Sequence, residues 1–208
     1  MKIILPIFIA LFLFVLSLFG VFRNTYYTVK NSNSVKVSHT AKDNRLNRPV
    51  PVLAKEAAVS YSPPKQLVIP KIGLNANITS VGLDSQNRMD VPNNFVEVGW
   101  YNLGYMPGQK GSAVLDGHHD DFNGHPAVFY YLSDLEIGDQ IYVTDQSGKQ
   151  YTYKVTNNEI YPYDQLPLQQ IFATNDKARL NIITCHGTWD SVRHDYSHRT
   201  VIYSELQV

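Results

Sequence analysis

Three residue types that can together cleave and transfer an acyl group stand at the ends of short apolar segments. Cys185 is the single cysteine among the 208 residues, and it ends the apolar segment 180–184. His118 follows a second apolar segment and a glycine, and Arg199 precedes a β-branched and aromatic one. A thiolate attacks a carbonyl, an imidazole carries the proton of the amine, and a fixed cation stabilises the oxyanion. The set therefore predicts acyl transfer through a cysteine nucleophile.

Each member of this set has a rival or a purely structural alternative. A free cysteine is often only a small buried residue. His119 is the rival base, and because neighbouring strand residues face opposite ways, only one imidazole of the pair should face Cys185. Arg193 is the rival cation, in the predicted loop after the cysteine. Asp120 could orient an imidazole, or it could be a solvated loop acid.

The same segments resemble those of the sortases, membrane-anchored cysteine transpeptidases of bacterial surfaces. The family's Thr-Leu-x-Thr-Cys pattern stands here as Asn181-Ile182-Ile183-Thr184-Cys185, and its arginine before the last strand stands as Arg199. Gly117-His118-His119-Asp120, followed by Pro126-Ala127-Val128-Phe129-Tyr130, is most similar to the class F sortases. The resemblance covers about residues 66–208. It implies that Cys185 is the nucleophile, His118 the acid and base, and Arg199 the oxyanion and substrate-backbone clamp.

The resemblance also implies a substrate and a reaction. Cys185 would attack the Thr carbonyl of a Leu-Pro-x-Thr-Gly-like sorting signal at the C-terminus of a surface protein. The thioacyl enzyme would be resolved by an amine of a peptidoglycan precursor or by a pilin lysine, and no cofactor is needed. Thr184 is a candidate to hydrogen-bond the bound peptide. Segment 157–178 is expected to line the groove, and its apolar candidates are Tyr161, Tyr163, Leu166 and Ile171.

Readings of other classes also fit part of the sequence. A metal-binding surface domain without catalysis would use His118, His119, Asp120, Cys185 and His186. Their spacing fits no standard zinc pattern, and we predict no metal site. An L,D-transpeptidase would carry Ser-x-Gly-Cys, whereas Ile183-Thr184 precede the cysteine here. A non-catalytic adhesin would leave the thiol, imidazole and guanidinium unexplained.

Charge is unevenly distributed along the chain. Residues 1–65 hold nine Lys/Arg and two Asp/Glu, whereas residues 66–208 hold nine and sixteen. The second part is therefore acidic, which argues against nucleic acid as a partner.

The N-terminal segment predicts a membrane anchor. Ile3 to Phe22 is a run without charge, and twenty helical residues span about 30 Å, enough to cross a bilayer core. A cleaved signal peptide, the alternative, would have a shorter apolar core and a small-x-small exit. We thus expect a transmembrane signal-anchor over 1–22, a flexible basic tether over 23–65 and a catalytic domain over 66–208. The basic residues after the run favour a cytoplasmic domain, whereas the resemblance implies a single-pass protein with an extracellular domain.

The catalytic domain is predicted to be all-β. Many short strands separated by turn signals, with one or two short helices near 128–132 and 164–175, favour a closed β-barrel, although this spacing also permits a sandwich. The sortase resemblance implies an eight-stranded barrel. We expect a strand over 179–185, a loop from Gly187 onwards, and a last strand over 199–206.

Overall fold

The computed structural model describes residues 60–207, which form eight strands, one short α-helix and two 3-10 turns. The 3-10 turns are Pro70–Ile72 and Leu132–Asp134. The remaining elements are β1 (Pro64–Ile69), β2 (Leu74–Val81), β3 (Val98–Tyr101), β4 (Gly111–Asp116), β5 (Gln140–Asp145), β6 (Gln150–Pro162), α1 (Leu168–Phe172), β7 (Ala178–Asp190) and β8 (Asp195–Leu206).

The strands close into a barrel in the order β1-β2-β3-β4-β7-β8-β6-β5, and β5 pairs with β1 to complete the ring. The β2–β3 and β4–β7 pairs are parallel, and the other pairs are antiparallel. The predicted eight-stranded barrel is therefore confirmed. Closure removes the exposed strand edges that a sandwich of the same strands would leave.

Alternation along β4, β7 and β8 separates an inner from an outer face. Ala113, Leu115, Leu180, Ile182 and Ile202 belong to the main core inside the barrel. The residues between them point outwards, because successive strand residues face opposite sides. This alternation explains why β7 reads as an almost continuous apolar run: both of its faces are covered over part of its length.

Helix α1 covers part of the outer face of these three strands. Ile171 is fully buried there against Val114, Val201 and Tyr203, which form a second apolar cluster. The Asn181 side chain donates a 2.7 Å hydrogen bond to the carbonyl of Ile171 and so ties the helix to β7. Because α1 is only five residues long, the ends of β4 and β7 beyond this cluster remain uncovered and form the floor of a cleft.

Three elements differ from the sequence-based prediction. Strand β7 does not end before Gly187, because the strand resumes after a bulge and pairs with β8 up to Asp190. Gly187 has a φ of +86°, and a Cβ there would lie 2.4 Å from Ser197 Oγ, so glycine permits the bulge. Strand β8 accordingly begins at Asp195 rather than at 199. The helix expected near 128–132 is a turn followed by a 3-10 turn, whereas α1 confirms the helix within 164–175.

The predicted signal-anchor over 1–22 lies outside the described residues, as does the predicted tether except for its last few residues. The first strand begins at Pro64, slightly before the predicted domain start at 66. Between residues 60 and 207, no helix has the length and apolar character needed to cross a membrane.

Candidate active site

Cys185 and Arg199 face each other across the β7–β8 ladder. They are paired residues of this antiparallel ladder, and directly opposite residues project from the same face of a sheet. That face is the outer one, because Cys185 lies an odd number of positions from the inward-facing Leu180 and Ile182. The barrel therefore directs the thiol into the cleft and brings the guanidinium beside it, although the two residues belong to different strands.

The Cys185 thiol is in a weakly ionising environment. Burial is the largest influence and raises the pKa of the thiol to about 11. The Arg199 guanidinium lowers the pKa, whereas the carboxylates of Asp195, Asp116 and Asp120 raise it. At neutral pH most molecules thus hold the thiol form, and the thiolate needed for attack is a minor species.

Arg199 is held in place by its own strand. Its Nη2 donates to both carboxylate oxygens of Asp195 at 2.7 and 2.9 Å. Its Nη1 donates to the carbonyls of His198 at 2.9 Å and Tyr196 at 3.2 Å. These four bonds use both terminal nitrogens, so Nε–H is the guanidinium donor with no partner among residues 60–207. Such a pre-organised cation can present one donor to a developing oxyanion without reorganising.

His118 follows the end of β4 and is oriented by a wall of the cleft. Gly117 before it has no room for a side chain, because a Cβ there would lie 2.8 Å from Val128 and Phe129. The His118 Nε2 lies 2.9 Å from the carbonyl oxygen of Pro92, and the ring packs 4.9 Å from that of Phe95. A carbonyl only accepts hydrogen bonds, so Nε2 carries a proton and Nδ1 is the nitrogen that can exchange one.

The neighbouring His119 is engaged in aromatic packing. Its ring stacks on Tyr130 at 4.7 Å and meets Tyr196 edge-on at 5.8 Å. Burial lowers its pKa, so the ring is neutral at pH 7. Asp120 accepts a hydrogen bond from the Tyr196 hydroxyl, and neither imidazole of the pair hydrogen-bonds the Cys185 sulfur within the described part of the chain. Catalytic hydrogen bonds often tighten only when substrate is bound.

A cleft of about 1360 Å³ contains all three predicted catalytic residues and both predicted orienting residues. Leu166, Tyr163 and Arg193 also line it. Arg193 lies over the Tyr163 ring at 4.5 Å, so this rival cation is engaged in a cation–π contact on the cleft wall. The lining further includes Met89, Tyr101, Phe172 and Ile183.

Two predicted substrate-binding residues are buried: Thr184, which contributes to the cleft lining, and Ile171, which lies beneath it. Thr184 is buried, and its hydroxyl donates a 2.8 Å hydrogen bond to the Gly117 carbonyl, which joins β7 to the segment that carries His118. Ile171 is fully buried in the cluster under α1 and does not line the cleft. Both residues support the floor in this structure, and their contact with substrate stays a prediction.

Sequence reasoning missed two of the three carboxylates that act on the thiol, those of Asp195 and Asp116. Asp195 holds Arg199, and its position four residues earlier in a strand, which places both on one face, was the available signal. Asp116 stands on the outer face of β4, opposite Ile183 of β7. An acid that ends an apolar strand immediately before Gly-His was the signal for this residue.

The alternative of a metal-binding module finds no support in the described residues. Within 60–207, no group of three or more His, Cys, Asp or Glu side chains is arranged to hold a metal ion. His186 points to the other face of β7, where its Nδ1 lies 3.1 Å from Thr200 Oγ1.

Comparison with known proteins identifies a family. The sortase domain model matches residues 67–207. Sortase D of Bacillus subtilis (strain 168) is 32% identical over 89 residues, which are 43% of this chain and only 40% of that protein's length.

The fold is shared with solved sortase structures. A lid mutant of sortase A from Corynebacterium diphtheriae superposes with a TM-score of 0.55 at 21% identity, over 73% of each chain. Sortase C-1 from Actinomyces oris has a TM-score of 0.54 at 23% identity, over 69% of this chain and 71% of that one. Because the family model covers most of the chain, and the barrel is the one these structures share, the protein belongs to the sortase family of cysteine transpeptidases.

Proposed function

We propose that this sortase cleaves a Leu-Pro-x-Thr-Gly-like sorting signal between Thr and Gly and transfers the acyl segment to an amine. The observation that carries the proposal is the pairing of Cys185 with Arg199 on the outer face of the barrel, in the cleft that also contains His118. Nucleophile, oxyanion donor and proton carrier are thus within one cleft.

In the acylation half-reaction, the Cys185 thiolate attacks the Thr carbonyl and a tetrahedral oxyanion forms. The Arg199 Nε–H donates to this oxyanion, while Asp195 keeps the guanidinium in place. Protonated His118 gives its Nδ1 proton to the Gly nitrogen as the peptide bond breaks. The products are a thioester on Cys185 and a released peptide with a free amine.

In the second half-reaction, an amine attacks the thioester carbonyl. His118, now neutral, accepts the proton that the amine loses, and the carbon–sulfur bond breaks to regenerate the thiolate. An amine of a peptidoglycan precursor or of a pilin lysine is the acceptor we propose, since an acyl transferase of this family attaches surface proteins to such amines. Water in place of the amine would give hydrolysis.

An apolar peptide segment suits the groove beside Cys185. Leu166, Tyr163, Phe172 and Ile183 line the cleft, and Ile171 supports it from beneath. Leu and Pro side chains of a sorting signal can bury apolar surface there at about 25 cal/mol per Å². Contacts of the peptide with Thr184, Leu166 and Ile171 belong to this proposal.

We further propose that the protein is a single-pass membrane protein with an extracellular catalytic domain and that it belongs to class F. The uncharged run from Ile3 to Phe22 and the motif Gly117-His118-His119-Asp120 support these two points. The relatives described above carry sortase A, C and D names.

Protease added to intact cells tests the proposed orientation. It should digest the catalytic domain, and protection of this domain would contradict an extracellular location.

Incubation of the full chain with fluorogenic peptides varied around Leu-Pro-x-Thr-Gly tests the reaction. Cleavage with an acyl adduct on Cys185 in mass spectrometry is expected, and an added amine should convert the hydrolysed product into an amide. Cys185→Ala should show neither adduct nor cleavage. Cleavage that persists in Cys185→Ala would overturn the proposed function.

A further inference from the structure

Asp116 places a carboxyl group on the cleft floor close to the thiol. It ends β4 and pairs with Ile183 of β7, two positions before Cys185, so all three side chains share the outer face. On its other side β4 pairs with β3, where Asp116 lies opposite Gly99. A Cβ on Gly99 would lie 3.1 Å from Asp116 Oδ1, so glycine gives the carboxyl its space.

This carboxyl group forms no hydrogen bond with the residues between 60 and 207. Its Oδ1 is buried and forms no hydrogen bond with any described residue, although Asp116 lines the cleft. Burial raises its pKa well above the usual value, the Asp90 carboxylate raises it further, and Arg199 lowers it. A buried polar atom without a hydrogen-bond partner destabilises the folded protein. Such atoms are rare enough in folded proteins to call for a ligand or a functional explanation.

None of the arginines that line the cleft donates a hydrogen bond to Asp116, and each one pairs with another carboxylate. Arg88 pairs with Asp84, Arg193 with Asp190, and Arg199 with Asp195. The carboxyl of Asp116 is therefore available to a ligand that enters the cleft. The Asp90 carboxylate is close enough to raise the pKa of Asp116, and a second negative charge favours a cationic ligand over a neutral one.

The arrangement of the site indicates which part of a substrate passes over Asp116. The leaving amine and the entering amine must both be near His118, which carries their protons. His118 lies beyond Gly117 along the chain from Asp116, whereas Ile183, which is paired with Asp116, packs in the same apolar cluster as Leu166 and Phe172. An acyl part that extends from Cys185 over Ile183 into the groove of Leu166 and Phe172 therefore passes beside Asp116.

We propose that Asp116 is a specificity residue that binds a Lys or Arg side chain in the acyl part of the sorting signal. This inference rests on the proposed transpeptidase function and names a feature of its substrate. A bound ammonium or guanidinium would pair with the buried oxygen and stabilise the ionised carboxylate. In the apolar groove, one such polar contact would fix the register of the peptide.

Peptide scanning with the full chain tests the proposal. Peptides carry Lys, or Gln as the uncharged counterpart, at the x position and at each of the residues before Leu. The ratio of kcat/KM for Lys over Gln is measured for the wild type, for Asp116→Asn and Asp116→Ala, and for the control Asp164→Asn. Asp164 is exposed and lines the same cleft, so it reports the general effect of a lost negative charge.

At one position the wild type should prefer Lys by at least about tenfold, in line with a desolvated ion pair. Both Asp116 variants should lose this preference, and Asp164→Asn should keep it. Equal ratios in the wild type and in the Asp116 variants would overturn the proposal, as would an equal loss in Asp164→Asn. A defect confined to transfer onto the added amine would assign Asp116 to the acceptor instead and overturn it. If the wild type cleaves no peptide, the proposed function itself fails, and this inference fails with it.

Discussion

Cys185 and Arg199 are directly opposite residues of the β7–β8 ladder, so strand register fixes the distance between thiol and guanidinium. Asp195 and two backbone carbonyls of β8 hold both terminal nitrogens of the arginine. The cation is therefore positioned by regular structure, which holds a catalytic group more rigidly than a loop does.

Substitution of Arg199 should remove transition-state stabilisation. We expect Arg199→Ala to lower kcat/KM by at least about 100-fold, the usual cost of losing an oxyanion donor. Arg199→Lys should be almost as damaging, because one ammonium cannot bond to Asp195 and both carbonyls while presenting a further donor. Asp195→Asn should cause a smaller loss. Steady-state cleavage of a fluorogenic peptide measures all three.

Arg193 provides the matched control for this prediction. Its guanidinium also lines the cleft, but it lies over Tyr163 and pairs with Asp190. Arg193→Ala should keep most of the cleavage activity. If Arg193→Ala were as defective as Arg199→Ala, the choice between the two cations would have to be reversed.

The reactivity of Cys185 should increase with pH far above neutrality. Because burial raises the pKa of the thiol to about 11, the thiolate fraction and the alkylation rate should rise about tenfold per pH unit between pH 7 and 10. Iodoacetamide labelling followed by mass spectrometry measures this rate on the single cysteine. The alkylation rate of a small free thiol, whose pKa is about 8.5, should level off within this pH range. A plateau for Cys185 below pH 8 would indicate a stable thiolate–imidazolium pair instead.

The two adjacent histidines should respond differently to substitution. His118→Ala should lower kcat/KM by at least about 100-fold, since general acid–base catalysis contributes at least that much. His119→Phe should keep most of the activity, because a phenyl ring preserves the stack on Tyr130 and the buried Nδ1 has no hydrogen-bond partner within 60–207. Full activity in His118→Ala together with none in His119→Phe would assign the proton transfer to His119.

The sequence predicted the barrel domain better than the details of its hairpins. Alternation and turn residues located most strands, because a strand with one face in the core must repeat every two residues. The β7–β8 hairpin was predicted too short at both strands. Its bulge depends on the left-handed conformation of Gly187 and on its contact with Ser197, and a glycine in a polar stretch predicts a loop equally well.

The sequence also predicts which groups could react, but it does not predict what surrounds them. Cysteine, histidine and arginine at strand ends are recognisable by type. The role of Asp116 depends on the β4–β7 register and on the space beside Gly99, and neither can be read from local sequence. Pro92 is a similar case, since a backbone carbonyl that orients His118 leaves no side-chain signal.

Asp116 should reduce the stability of the free protein at neutral pH. Its folded-state pKa is raised well above the ordinary value of 3.8, so above that pH the unfolded chain ionises more readily and stability is lost as pH rises towards the folded pKa. Asp116→Asn should therefore raise the unfolding midpoint at pH 7 by about 2 °C or more, the shift that about 1 kcal/mol produces in a protein of this size. Near pH 3 the Asp116 carboxyl is protonated in both the folded and the unfolded state, and the gain in unfolding midpoint should vanish.

Thermal unfolding at the two pH values measures the difference, with Asp164→Asn as the control. A lower midpoint for Asp116→Asn at pH 7 would mean that the ionised carboxyl stabilises the fold through a partner that the structure does not show.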